Sequence, residues 1–166
     1  MANANDDLAD VAIIGGGPAG IGAALELRRR GVPRVIMLDR ESTAGGTPRH
    51  CGHPSFGWRE FGRILKGPAY ARRLAEAASA AGAEIRMRHS VLAMCKAGQL
   101  HVTRPDGEVG IQAKRVIIAT GARETPLAAR LISGRSTSRL CYDRHTSVVF
   151  LPIWDGPFSP AGDSRN

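Results

Sequence analysis

Three glycines near the amino terminus have the spacing of a turn that binds a diphosphate group. Gly15, Gly17 and Gly20 form a G-x-G-x-x-G pattern, with Pro18 and Ala19 between the last two. The first glycine permits a tight turn, the second lets backbone N–H groups approach the phosphates, and the third lets a helix pack closely on a strand. A helix that begins here directs its unpaired N–H groups at the phosphates. The alternative is a glycine-rich turn that holds no ligand.

An acidic residue follows at the distance expected for a group that binds a ribose. Asp39 comes directly after the apolar run 35–38. A carboxylate there accepts hydrogen bonds from the ribose hydroxyls and disfavours a 2′-phosphate, which favours FAD or NAD over NADP. The neighbouring Arg40 weakens that exclusion, and Glu41 is an alternative acceptor. A solvated acid at the end of a strand is the other interpretation.

The surrounding elements place these residues in a βαβ unit. Residues 11–14 and 35–38 are short apolar runs typical of strands buried on both faces, and residues 19–30 have helical periodicity before Gly31. A strand, a helix and a strand over this length form parallel strands joined by a crossover. This is the context that gives the glycine pattern its meaning. We therefore expect an α/β, Rossmann-like FAD/NAD(P)-binding domain.

The rest of the first 135 residues extends this domain. Residues 43–67 have many glycines and predict a loop, and a loop of this length is usually functional. Residues 116–119 predict another buried strand, which leads into Thr120 and Gly121. The expected architecture is a parallel sheet of three or four strands with helices on its faces and an antiparallel β insertion. Its remaining predicted elements are a helix over 68–81, a strand over 84–94 and a hairpin over 100–111 that turns at residues 105–107.

Composition excludes several classes of protein. The chain is 43% apolar and 23% charged, which is ordinary for a folded domain and excludes general disorder. The formal net charge is +8, but the arginines are scattered and aromatic residues are few, so we expect no nucleic-acid partner. Arginines also suit sites for anionic phosphates or carboxylates.

The cysteines and the amino terminus indicate a cytoplasmic protein. Cys51, Cys95 and Cys141 are far apart, with no spacing typical of a disulfide scaffold or a metal site. The first ten residues are too acidic and polar for a secretory signal. The longest apolar stretch, 11–27, is interrupted by the glycines of the motif, so no membrane span is expected.

The character of the chain changes after residue 135. Alanine is frequent up to residue 129, whereas Ala161 is the only alanine in the last 36 residues. We expect an amino-terminal domain over 1–135 and an irregular tail over 136–166, in which only residues 148–151 resemble a strand. One hypothesis is a truncated or frameshifted gene whose tail is read in a foreign frame.

Together these motifs resemble the FAD-dependent pyridine nucleotide–disulfide oxidoreductase superfamily. Within it, five further stretches resemble the flavin subunit of opine oxidases, D-hydroxyproline dehydrogenases and hydrogen cyanide synthase. The resemblance covers residues 8–134 and implies bound FAD and oxidation of a C–N bond in an amino acid, an opine or a similar amine. The five stretches are residues 45–54 (GGTPRHCGHP), 56–57 (FG), 59–63 (REFGR), 67–72 (GPAYAR) and 119–126 (ATGARETP).

The resemblance also implies roles for individual residues. The glycine motif would bind the diphosphate and Asp39, beside Arg40, the adenosine ribose. Gly46 and Thr47 would lie near the flavin, and Val91 would offer backbone atoms to adenine. It further implies a small amine or amino-acid substrate and a partner oxidoreductase subunit. The segment Ala119, Thr120 and Gly121 would close the diphosphate crevice.

This chain also departs from the family pattern. Relatives continue into a second nucleotide-binding domain and complete the FAD site late in the chain. A catalytically inactive nucleotide-binding fragment is therefore the alternative function. Cys51 has no second cysteine four or five residues away, which argues against a disulfide relay, and we expect no metal site. Arg49 and His50 are expected to face the flavin, where they would stabilise negative charge.

Overall fold

The helices and strands follow the apolar pattern of the chain. The computed structural model describes residues 8–95, 98–122 and 149–151, and for the last three the backbone alone. A 3-10 helix, Thr47–His50, lies between β2 and β3. The other elements, in chain order, are β1 (Leu8–Ile14), α1 (Pro18–Arg29), β2 (Val35–Asp39), β3 (Pro54–Phe56), α2 (Trp58–Phe61), β4 (Leu65–Lys66), α3 (Gly67–Ala80), β5 (Glu84–Met87), β6 (Ser90–Met94), β7 (Gln99–Arg104), β8 (Gly107–Ile118) and β9 (Val149–Leu151).

Four parallel strands form the centre of the molecule, in the order β5-β2-β1-β8. The strand β1 pairs with β2 on one side and with the second half of β8 on the other. The carboxyl ends of these strands therefore lie along one edge, where ligands of open α/β sheets bind. The prediction of an α/β fold with a short parallel sheet and an antiparallel insertion is confirmed.

The two faces of the parallel sheet are covered by different layers. Alternate strand residues such as Ile13 and Met37 pack with helices α1 and α3, through Ile21 and Leu74. The intervening residues pack instead against the antiparallel strands β7 and β8. The expected helices therefore cover one face of the parallel sheet, and a three-stranded meander of β6, β7 and β8 covers the other.

The strand β8 belongs to both layers. Its first half pairs antiparallel with β7, and its second half pairs parallel with β1. Gln112 is the residue at which the two pairings meet, since it stands opposite both Gln99 and Leu8. The predicted hairpin strand and the predicted strand over 116–119 are thus parts of one strand of 12 residues.

The predicted strand over 84–94 is two strands that lie in different parts of the sheet. The chain turns at Arg88, which has a φ of 58°. The Arg88 amide donates to the carbonyl of Glu41 at 2.9 Å, and the His89 amide donates to that of Asp39, also at 2.9 Å. These bonds end β5 beside β2, and β6 then starts the meander on the other face.

The long segment between β2 and α3 has more structure than expected. The 3-10 helix is followed by the β3–β4 hairpin, with α2 between its strands. Gly67, at the start of α3, approaches this segment so closely that a Cβ there would lie 1.9 Å from the carbonyl oxygen of Pro48. The segment is therefore packed on the start of α3.

Three residues of the predicted tail join the main sheet. The strand β9 pairs antiparallel with Val116, Ile117 and Ile118 of β8. The other residues of 136–166 lie outside the described residues, so the domain division at 135 stays a prediction. Among the described residues, none of the helices combines the length and apolar character needed to cross a membrane.

Candidate functional site

The turn after β1 is fixed by its contact with the end of β8. Gly15 has a φ of +113°, and a Cβ there would lie 2.3 Å from the carbonyl oxygen of Ala119. Its amide donates to the carbonyl of Leu38 at 2.8 Å, and the Ala119 amide donates to Ile14 at the same distance. Only glycine fits at this crossing, since any side chain would collide with the backbone of Ala119.

The turn leads directly into α1, whose first amides point out of the helix. Gly17 is the N-cap, Pro18 starts the helix, and no side chain of the described residues caps this end. A Cβ on Gly20 would lie 2.0 Å from the carbonyl oxygen of Gly15, which explains the third glycine of the motif. The N–H groups of Ala19 and Gly20 precede the first intrahelical bond and have no acceptor within the helix. A helix end of this kind favours an anion.

A second glycine pair lies opposite this helix end. A Cβ on Gly17 would meet nothing nearer than the Cα of Gly46, at 4.0 Å. The amide of Gly45 donates to the carbonyl of Gly16 at 2.6 Å. On the other side, a Cβ on Gly45 would lie 2.4 Å from the Cβ of Ala71 on α3. We call Gly17 and the facing pair Gly45–Gly46 the glycine cradle.

The carboxylate of Asp39 lies at the base of the same turn. Its Oδ2 accepts a hydrogen bond from the amide of Gly16 at 2.5 Å, and its Oδ1 accepts one from the amide of Glu41 at 2.8 Å. The carboxylate of Glu41 faces arginines instead, at 3.7 Å from Nε of Arg40 and 3.5 Å from Nη2 of Arg49. Asp39 is thus the acid that contacts the glycine turn, and Arg40 extends into solvent.

The other predicted site residues lie after β8, at the start of the 3-10 helix and on β6. Ala119 is buried against Gly15, and Thr120 and Gly121 follow it on the surface. Thr47 is exposed at the start of the 3-10 helix, directly after Gly46. Val91 lies on β6, opposite Val102, with its side chain packed against the apolar cluster under the meander.

Arg49 is expected to face the flavin, and this stays a prediction; the contacts that the structure shows for Arg49 are with its own loop. Its guanidinium folds back onto the loop before it and donates to Oγ1 of Thr43 and, at 3.4 Å, to the carbonyl of Gly46. His50 is exposed, and the Sγ of Cys51 lies 3.7 Å from the carbonyl oxygen of Thr47. The Arg49 side chain therefore binds to its own loop.

Some residues of the site were missed when the sequence was considered alone. Gly16 matters because its amide binds Asp39, and a Cβ there would lie 2.9 Å from Oδ2 of that carboxylate. Gly45 and Ala71 matter because they pack together and hold one wall of the cradle. The adjacency of Gly45 and Gly46 was the available signal, whereas nothing marks Ala71 among the alanines of α3.

A separate open cleft of about 240 Å³ lies beside the start of α3, between the β3–β4 hairpin and Tyr70. The Tyr70 hydroxyl donates to Oε1 of Glu60 at 3.3 Å, and its ring stacks on Phe56 with 5.4 Å between centroids. Burial, together with the nearby Glu60 carboxylate, raises the pKa of Tyr70. Tyr70 therefore stays protonated at neutral pH and serves as a donor.

The arrangement at the cradle fits the adenosine diphosphate part of a dinucleotide. The helix end supplies N–H donors for phosphate oxygens, and Gly17 and Gly46 have no side chains that would cover these donors. Asp39 supplies acceptor oxygens at the end of β2, where a ribose binds in such folds.

Comparisons with known proteins agree with this geometry. Relatives include the alpha subunit of sarcosine oxidase from Corynebacterium sp. (strain P-1), 31% identical over 133 residues, which are 71% of this chain and 13% of that protein. One of the alkyl hydroperoxide reductase subunits of Pseudomonas aeruginosa is 31% identical over 156 residues, which are 91% of this chain and 27% of that protein. The chain therefore spans only a small part of these relatives.

Solved structures show the same fold. L-proline dehydrogenase from P. horikoshii is 33% identical with a TM-score of 0.61, over 72% of this chain and 24% of that one. Thioredoxin reductase from Lactococcus lactis is 27% identical with a TM-score of 0.56, over 72% of this chain and 37% of that one. The family model of the pyridine nucleotide-disulphide oxidoreductases matches residues 9–148, which extends past the predicted boundary at 135. The chain belongs to the pyridine nucleotide-disulphide oxidoreductase family.

Proposed function

We propose that this chain binds FAD as the nucleotide-binding part of a flavin-dependent oxidoreductase. The observation that carries the proposal is the glycine cradle, where neither Gly17 nor Gly46 has a side chain that would cover the start of α1. The contact between Asp39 and the glycine turn supports an adenosine ribose beside it. When bound, FAD supplies a flavin ring that accepts a hydride.

The proposed roles follow the path of the cofactor along the edge of the sheet. The diphosphate lies on the uncapped end of α1, and the ribose lies at Asp39. The adenine lies near Val91, since the adjacent turn at His89 is hydrogen-bonded to Asp39. Four groups of residues complete the proposed site. They are Gly15, Gly17, Pro18, Ala19 and Gly20 at the diphosphate, Arg40 beside the ribose, Gly46 and Thr47 toward the flavin, and Ala119, Thr120 and Gly121, which close the diphosphate crevice.

The proposed reaction is oxidation of a C–N bond in an amino acid, an opine or a similar amine. The stretches 45–54 and 119–126 support it through their resemblance to the flavin subunit of opine oxidases. Two of the relatives are named for sarcosine and proline, which are both secondary amines. Other relatives are reductases, but the spacing around Cys51 does not favour a disulfide relay. A partner oxidoreductase subunit, as in the resembling enzymes, belongs to the same proposal.

Titration of the purified full chain with FAD tests the binding. We expect calorimetry to detect FAD binding, with weaker binding of NAD. Gly17→Val should abolish FAD binding, because its side chain would cover the start of α1, while its Cβ would meet no described atom nearer than 4.0 Å. Gly22→Ala is the matched control, since no atom lies within 4 Å of its Cβ position and Gly22 is on the same helix.

Each outcome has a clear meaning. Absence of heat with FAD and NAD, or unchanged FAD binding by Gly17→Val, would contradict the proposal. FAD binding without oxidation of any amine tested would favour the alternative function, a catalytically inactive nucleotide-binding fragment. Flavin reduction by an amino acid under anaerobic conditions would support the proposed reaction.

A further inference from the structure

Arg49 makes three contacts with the loop that precedes it. Its Nη1 donates to Oγ1 of Thr43, its Nε lies 3.4 Å from the carbonyl oxygen of Gly46, and its Nη2 lies 3.5 Å from Oε2 of Glu41. The side chain is only 17% exposed, whereas that of Arg40 is 81% exposed. The planar guanidinium has five N–H groups in a fixed fork, which suits it to bridging several acceptors.

The loop that Arg49 contacts forms one wall of the glycine cradle. Gly46 has a φ of 57°, and a Cβ there would lie 2.9 Å from the Cα of Gly17. The loop is held at one end where the carbonyl of Glu41 accepts from Arg88, and at the other where Gly45 donates to Gly16. Arg49 contacts the loop at Glu41, Thr43 and Gly46.

We infer that Arg49 is a positioning residue that holds the segment 41–46 so that Gly46 faces Gly17. This inference rests on the proposed binding of FAD. It assigns Arg49 an action through the loop, because three of its donors are directed at the loop's own oxygens. The competing possibility is a direct ion pair between Arg49 and a phosphate, and the experiment below separates the two.

Lysine and glutamine variants of Arg49 distinguish the effect of the planar guanidinium from the effect of its positive charge. A lysine keeps the positive charge but has a single nitrogen, which cannot bridge three separated acceptors. We expect Arg49→Lys and Arg49→Gln both to weaken FAD binding by about tenfold or more, as measured by calorimetry. Arg72→Gln is the control, because Arg72 is an exposed arginine on α3 whose ion-pair partner is Glu76, away from the loop.

A double-mutant cycle tests whether Arg49 acts through Thr43. Thr43→Val removes the hydroxyl that accepts from Arg49. We expect Thr43→Val to weaken FAD binding, and to weaken it much less when Arg49 is already glutamine. Full FAD affinity in Arg49→Lys, or strictly additive effects of the two substitutions, would overturn the inference in favour of a direct phosphate contact.

Hydrogen exchange tests the same inference without any ligand. The amide of Gly45 is bonded to Gly16, so its exchange reports the position of the loop. In Arg49→Gln we expect the hydrogen-bonded amides of Glu41 and Gly45 to exchange about tenfold faster, with α1 and β1 unchanged. Unchanged exchange in this segment would overturn the inference. Failure of the wild-type chain to bind FAD, with faster exchange in Arg49→Gln, would instead contradict only the proposed function.

Discussion

The backbone amide of Gly16 donates a 2.5 Å hydrogen bond to Oδ2 of Asp39, which lies 23 residues further along the chain. The other carboxylate oxygen accepts from the amide of Glu41. One side chain therefore joins the glycine turn after β1 to the chain leaving β2. Because both oxygens accept from backbone donors, a carboxylate suits this position better than an amide, which has only one acceptor oxygen.

Asp39→Asn should weaken both the fold and nucleotide binding. The amide NH₂ of asparagine would face one of the two backbone donors, and the lost hydrogen bond costs about 1–3 kcal/mol of unfolding free energy. We expect FAD affinity to fall by about tenfold at least. Urea denaturation and calorimetry measure the two effects. Asp106→Asn is the control, because Asp106 is exposed in the β7–β8 turn and an Asn-Gly turn is equally favourable.

Alanine at Gly20 and at Gly22 should have opposite effects on stability. A Cβ on Gly22 meets no atom within 4 Å, so Gly22→Ala should raise the unfolding free energy by about 0.5–1 kcal/mol through helix propensity. A Cβ on Gly20 would lie 2.0 Å from the carbonyl oxygen of Gly15, so Gly20→Ala should lower it by about 2 kcal/mol or more. Urea denaturation of both variants decides the matter. Equal stability of the two would refute the tight packing of α1 on the turn.

Arg28 should be important for joining the ends of the two long helices. Its Nε donates to the carbonyl of Ala81 at 2.9 Å, and its Nη1 donates to Val32 at 2.6 Å and to Pro33 at 2.5 Å. We expect Arg28→Lys to lower the unfolding free energy by about 2 kcal/mol, because one ammonium group cannot reach all three carbonyls.

Arg29→Gln is the control for Arg28. The Arg29 side chain is exposed and, within the described part of the chain, its ion pair is with Glu26 on the same helix. Exposed pairs of this kind contribute about 0.5 kcal/mol or less. A loss in Arg28→Lys no larger than the loss in Arg29→Gln would show that the three carbonyls do not depend on the guanidinium.

The pair Asp10 and Lys114 should make stability depend on pH. The hydrogen bond from Nζ of Lys114, at 2.7 Å, is the main reason why the pKa of Asp10 lies below its ordinary value. Because the folded pKa is lowered, the stabilisation is present above the unfolded pKa of about 3.9 and is lost as pH falls through the folded pKa.

Asp10→Asn should therefore lower the unfolding free energy at pH 7 by up to about 1 kcal/mol, and the difference from wild type should disappear in acid. Thermal unfolding between neutral and acidic pH measures this. Lys114→Gln should produce the same loss at neutral pH. A difference between Asp10→Asn and wild type that is constant with pH would contradict the role of charge.

The parallel sheet and the glycine turn were predictable because their signals are local. Residues 11–14 and 35–38 are apolar on both faces, and Gly15, Gly17 and Gly20 stand between a buried strand and a helix, the context that makes their spacing specific. The parallel core of β1, β2 and β8 therefore follows from short stretches of sequence. The extension of β8 to 12 residues did not, since its first half alternates with polar residues and its second half does not.

The break at Arg88 and the role of Arg49 were not predictable from local pattern. Arginine rarely adopts a positive φ, and the turn there depends on backbone bonds to Asp39 and Glu41, which are distant in sequence. The three contacts of Arg49 likewise depend on how the loop folds back. Such features depend on tertiary contacts, which local periodicity does not contain.

The dual pairing of β8 has a consequence for how the molecule opens. Ile111 pairs with β7 in the meander and Ile117 pairs with β1 in the parallel core, yet both residues lie on the same strand. Because β8 belongs to both layers, neither layer can separate without disrupting that strand. Amide exchange at the two ends of β8 should then report a single shared unfolding event. The carboxyl edge of the parallel sheet, where we propose that the dinucleotide binds, would unfold together with the meander.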